Sequence, residues 1–464
     1  VIESPVVERV LARGLQHGGD FAEVFVEDRE TSSALLDDGR VEQLSTGRER
    51  GAGIRVVAGE TTGFAHTADL SEAGLLRAVE AASAVARAGG RAPSRSPVAF
   101  GGPEGRGRPG SGDAPTSLSK ADGLELLRRA DDAARSAGGA ISQVQVGYGA
   151  SRRQVLIANS DGLWATDDQP RTRFSVSCVA VGDSGLQTGY ETAARTVDAR
   201  LFDEISVDDL AGLAARRALG KLAARPAPSG EVPVVLAGGS GGILFHEACG
   251  HGLEADHIVK DASVYVGQVG RQVASPLVTL VDDGTVGQEW GTAGVDDEGR
   301  PSQRNVLIDH GILTEYLWDY LRARKEGRVS SGNGRRQSYQ HLPMVRMTNT
   351  FLLPGEEDAD EIVAQTPYGV YVAKLGGGQV NTATGDFVFG TTEAYLIENG
   401  KLTEPLRDAN LIGNGPEILR RIDAVGRDFA MTPGTCGKDG QSVPVGCGQA
   451  TLRITGVTIG GTAE

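Results

Sequence analysis

"VPVVLAGGSGGILFHEACGHGLEADHI", residues 232–258, runs from an apolar β-type stretch through a glycine-rich turn into a segment that can be helical. His246, Glu247 and His251 lie inside that last segment, in the order His-Glu-x-x-x-His, one residue longer than the H-E-x-x-H arrangement. Each residue of an ideal α-helix advances about 100°, so positions i and i+4 lie about 40° apart and positions i and i+5 about 140°. Two imidazoles at i and i+5 therefore cannot share one ion on a regular helix. A single-turn π-bulge inserts one residue and restores a common face. Gly250, just before His251, is expected to lower the steric barrier to that distortion. The segment thus reads as a zinc-binding helix with one extra residue, in which Glu247 works on metal-bound water rather than on the metal.

Other readings of the same stretch fail on detail. A G-x-G-x-x-G phosphate turn starting at Gly239 and Gly241 needs glycine at 244, where Leu244 sits. No Gly-Lys-Ser or Gly-Lys-Thr closes a P-loop. Ser240 in "GGSGG" superficially suggests a nucleophile turn, but that chemistry calls for a histidine and an acid distant in sequence. A hydrolytic zinc site needs a third protein ligand and an open position. Glu254, His257, Cys436 and Cys447 are the candidates, whereas Cys249, inside the motif, reads as a packing residue. Carboxylate and thiolate both bind zinc well, so spacing alone does not choose between them.

The whole chain can supply the scaffold such a site needs. It has 464 residues, 39% hydrophobic and 23% charged, enough for two or three domains. A net charge of -15 argues against a nucleic-acid groove, which needs clustered Lys and Arg. The locally basic stretch from Arg91 to Arg108 is rich in Pro and Gly and reads as a linker, about 89–116. No apolar run reaches membrane-spanning length, and the start lacks a basic region followed by a hydrophobic core, so a cytoplasmic protein is expected. Four cysteines are too few for a disulfide framework in a chain of this size.

Periodicity predicts an α+β protein of two domains, an N-terminal one at 1–225 and a C-terminal one at 226–464. In the first, helices are expected at 5–17, 71–88, 117–137 and 207–224. Strands are expected at 21–30, on both sides of the turn near Gly59, and near 141–149, 154–158 and 172–181, with "NSDG" at 159–162 as a turn. "RPAPSGE", 225–231, reads as the joint. The second domain reads as sheet-rich and mostly antiparallel, with the metal-site helix near its start and further helices at about 357–365 and 416–424.

Several ordered blocks carry a resemblance: "FHEACGHGLEAD", "VDDEGRPSQRNVLIDHGIL", "GNGRRQSYQHLPMVRMTNT", "GGGQV", "FVFGTTEAYLIENGKL", "LIGNG" and "CGKDGQSVPVGCGQATLRI", with "GAGIRVVAGETTGFAHTADLS" in the first half. Together they resemble the TldD branch of the TldD/PmbA metalloprotease family. The resemblance implies zinc held by His246, His251 and Cys436, with Glu247 as general base, while Cys447 becomes a packing thiol. Glu254 and His257 are then expected to orient the ligands, and His341, Tyr339 or Arg335 in "GRRQSYQH" to donate to the developing oxyanion. It further implies cleavage of unfolded or linear peptides, leader peptides among them, and a heterodimer with a TldE/PmbA-like partner, or else a homodimer. The competing expectation is a non-catalytic dimerising scaffold with structural zinc or none.

Overall fold

The computed structural model describes residues 2–16, 18–87 and 118–460, and the expected linker at 89–116 lies outside them. Helix α1 (Ser4–Gln16) leads into strands β1 (Phe21–Asp37), β2 (Arg40–Ala58) and β3 (Thr61–Thr67), followed by α2 (Glu72–Arg87) and α3 (Lys120–Ser136). Strands β4 (Ile141–Asn159), β5 (Trp164–Gly182) and β6 (Gly185–Arg195) come next, then the short α4 (Leu201–Glu204) and α5 (Val207–Leu222). The six strands form one antiparallel sheet in the order β3-β2-β1-β4-β5-β6. Side chains of alternate residues face opposite sides of a strand. On β1 and β4 the even-numbered apolar residues, among them Val24, Leu36, Val146 and Ala158, are buried in the cores that the four long helices cover. Odd-numbered side chains, charged and apolar alike, among them Glu23, Phe25, Glu27, Arg153 and Ile157, turn the other way, toward the later half of the chain.

Two expected strands are one. Residues 141–149 and 154–158 belong to the continuous β4, because the polar residues between them still pair with both β1 and β5. Strand β6 was not expected, since its "GLQTGYETAAR" alternates too weakly.

From residue 225 on, the architecture is sheet-rich, as expected. Strand β7 (Arg225–Pro226) is followed by β8 (Gly230–Leu236). Strand β8 pairs with Tyr368–Val380 and Leu452–Gly460, and through Asn410–Asn414 and Asp386–Glu398 the pairing returns to Tyr368–Val380, closing a ring of five strands. A second sheet of six strands ends in the hairpin Ala430–Lys438 and Gln441–Gln449, with Ala430–Lys438 at its edge. Most pairings are antiparallel, and the parallel ones join β8 to Tyr368–Val380, β7 to Lys401–Arg407, and Asn349–Leu352 to Gln441–Gln449. The helix expected at 416–424 spans only Gly415–Arg420, and Ile422–Val425 is a strand on Leu452–Gly460. Apolar residues of the His-containing helix, Leu244, Phe245, Ala248, Cys249 and Leu253, sit in the large core that both later sheets share.

Candidate metal centre

Strand β8 ends at Leu236, and Gly239, with φ of 108°, makes the turn that sends the chain into helix α6 (Gly242–Phe245). The helix then widens. His246–Gly250 is a π-turn, and the backbone N–H of His251 donates to the carbonyl of His246. That one bond spans five residues, and it brings the two rings edge to face with centroids 5.1 Å apart. Gly250 serves differently from the expectation. Its backbone is ordinary right-handed helix, φ -55° and ψ -50°, so widening does not need glycine there. A β-carbon at this position would instead lie 2.0 Å from Met347 Sδ, so glycine is required for close packing.

Cys436 arrives from the edge strand 190 residues after His246. Donor atoms of His246, His251 and Cys436 all lie within 4.8 Å of one another, and all three residues are buried. Cys436 Sγ is 3.3 Å from His251 Nε2. Both ring nitrogens of His246 are buried without a well-formed hydrogen bond, an expensive arrangement unless something else satisfies them. Burial pushes the Cys436 thiol up, yet His246 and His251 outweigh it and hold it down to about 4. Two imidazoles and a thiolate-prone sulfur suit a zinc ion with one position left open.

The remaining expected residues fall into three groups. Glu247 Oε2 lies 3.7 Å from His251 Nε2, its side chain partly exposed beside the cluster. Glu254 is fully buried and its Oε2 meets His251 Nδ1 at 2.9 Å, which orients that ring. His257 stands with Glu254 and Asp256 in a neighbouring group rather than with the three donors. Arg335 is buried, donating to the carbonyls of Met347 and Pro444. Tyr339 packs on Phe25 and Val295, and its backbone N–H donates to Glu27. His341 Nδ1 contacts Ser338 Oγ at 2.9 Å. Cys447 and Cys436 share a small apolar cluster with Val443 and Val445. Cys249 lies in the large core, where burial pushes its thiol up to about 12. Ser240 Oγ accepts from the backbone N–H of Leu375, a structural contact.

Sequence reasoning missed Lys438. Two residues past Cys436 on the same strand, its Nζ donates at 2.8 Å to both Glu254 and Asp256 and at 3.1 Å to the Val345 carbonyl. The chain Lys438–Glu254–His251 therefore holds one imidazole by charge. The signal was present in "CGK", because residues i and i+2 of a strand face the same side.

Known proteins confirm the family. Models of the PmbA/TldA metallopeptidase match as domain 1 over residues 22–86, central domain over 113–222 and C-terminal domain over 229–461. A Haemophilus influenzae protein named metalloprotease TldD homolog is 41% identical, covering 96% of this chain and 93% of its own length. A Saccharolobus solfataricus zinc metalloprotease TldD homolog is 30% identical over 56% of this chain and 58% of its own. The crystal structure of TldE from Thermococcus kodakarensis shares the fold at 20% identity, with a TM-score of 0.74 over 98% of this chain and 99% of that one. The chain belongs to the PmbA/TldD metallopeptidase family and is a metalloprotease.

Proposed function

We propose that the chain is a zinc-dependent peptidase acting on unfolded or linear peptides, with His246, His251 and Cys436 as the ligands. The observation that carries this reading is the convergence of those three donors within 4.8 Å, with both nitrogens of His246 otherwise unpartnered. Zinc held there would polarise the scissile carbonyl and acidify a water. Glu247 takes the proton of the attacking water on a carboxylate oxygen and releases it to the leaving amine. Glu254 and Lys438 keep His251 in one orientation through the cycle. Tyr339 and His341 remain candidate donors to the oxyanion, whereas the Arg335 guanidinium is taken up by the carbonyls of Met347 and Pro444.

Residues 226–464 supply the ligands in this reading, while residues 1–225 wall the substrate cleft and contact a partner. That partner is a TldE-like chain or a second copy. An extended peptide adding to the edge strand Ala430–Lys438 would be held by its main chain, which suits weak sequence preference. No helix among the described residues is long and apolar enough to cross a membrane, and we place the protein in the cytoplasm. The test is elemental analysis followed by peptide cleavage with Glu247→Gln. Loss of cleavage with zinc retained supports the peptidase, and unchanged cleavage removes Glu247 from the mechanism. Absence of zinc together with absence of cleavage favours the scaffold.

A further inference from the structure

Behind the hairpin 430–449 lies a cavity of about 220 Å³ between the first sheet and the later half of the chain. Five arginines line it: Arg29, Arg153 and Arg171 from the sheet, and Arg335 and Arg336 from the loop that faces it. Arg29 and Arg153 are directly opposite across β1 and β4, a like-charge pairing that costs energy unless something offsets it. Their carboxylate partners are few. Glu27 and Asp297 serve Arg153, Glu27 also serves Arg29, and Glu23 serves Arg336.

Two of these guanidinium groups have no carboxylate within ion-pair distance among the described residues. Arg171 donates only to Gln169 and to the carbonyls of Trp290 and Thr292, and Arg335 only to carbonyls. Both are buried, and Arg336 Nε and Nη1 are buried without partners. Burial, with Arg335 and Arg153 nearby, pushes the Arg171 guanidinium down to about 9. Asp296 and Asp297 also line the cavity, but Asp296 accepts three backbone N–H groups, and burial together with Glu298 raises its carboxyl well above the usual range.

Buried guanidinium groups whose direct partners are carbonyl oxygens, with Asp167, Asp282 and Asp297 acting on them only through space, mark a place where an anion improves the charge balance, and planar guanidinium forks suit a carboxylate or phosphate. We propose that this cavity is an oxyanion-binding site, filled by the terminal carboxylate of a peptide or by a free phosphate-type anion. Its wall includes Thr435 and Pro444, which pair across the hairpin next to the Cys436–Val443 pair, so an occupant bears on the strand that carries the sulfur ligand. The peptide source rests on the peptidase reading; the anion site does not.

The full-length Glu247→Gln chain is titrated at low ionic strength with a fluorescent peptide as free acid and as C-terminal amide, with inorganic phosphate as competitor. The free acid should bind about 10-fold tighter than the amide and be displaced by phosphate. Arg171→Gln should erase that difference, and Arg29→Gln, at a less buried position, should reduce it if the first variant does not fold. Phosphate binding that Arg171→Gln abolishes, without any acid–amide difference, keeps the site and assigns it to a small free anion. Equal binding of acid and amide with no phosphate binding overturns the proposal. Acid-selective binding beside a parent chain that cleaves no peptide sinks the peptidase reading and leaves the anion site standing.

Discussion

The two faces of the hairpin 430–449 are opposite in chemistry. Toward helix α6 and its π-turn, Cys436 meets two imidazoles, a set of lone-pair donors. Toward the first sheet, Thr435 and Pro444 border guanidinium groups matched largely by carbonyls. A strand puts successive side chains on opposite sides, so one ribbon separates a site that suits a cation from one that suits an anion. The difference teaches how each is held. The donor face is braced by the buried chain Lys438–Glu254–His251, whereas the guanidinium face is braced by backbone carbonyls and by Glu23, Glu27 and Asp297.

The contrast breaks if the donor face is not a metal site. Cys436→Ala should leave zinc well below one equivalent by elemental analysis and lower peptide cleavage on the order of 10³-fold or more. Full zinc occupancy in that variant would remove the sulfur from the ligand set. Glu247→Gln should reduce kcat by roughly 10²–10⁴-fold while zinc stays bound, which separates proton transfer from metal holding. Lys438→Met or Glu254→Gln should weaken zinc affinity by about 10–100-fold in a chelator competition. An unchanged affinity would mean that the charge chain does not brace His251. Gly250→Ala should destabilise the protein by about 1–3 kcal/mol in a denaturant titration, because Met347 has to move. Pairing that change with Met347→Ala should recover part of the loss, which distinguishes packing from backbone strain.

How far the sequence could be read varied with distance along the chain. The i, i+5 spacing of His246 and His251 already demanded a widened turn, and the His251 N–H to His246 carbonyl bond is that turn. The strand–glycine–helix order around it was equally legible, with Gly239 in the left-handed region. Glu254 was within helical reach of His251, but only the structure distinguishes an orienting contact at Nδ1 from ligation. Cys436 stood out through the resemblance of its block alone, since a spacing of 185 residues from His251 carries no geometric information. The fused strand β4 was missed because residues 151–153 are polar and mixed in burial, which reads as a break when the neighbours β1 and β5 are unknown.

By itself the sequence determined an α+β class, the β8-to-helix entry and a pair of imidazoles that only a π-turn can bring together. These follow from periodicities and backbone sterics acting over a few residues. Tertiary structure alone decided that Lys438 braces the set, that Gly250 exists for Met347, and that arginines 29, 153, 171, 335 and 336 share one cavity. Those outcomes depend on sheet register and on the packing of one layer against another, which couple residues hundreds of positions apart and leave no periodic trace in the chain.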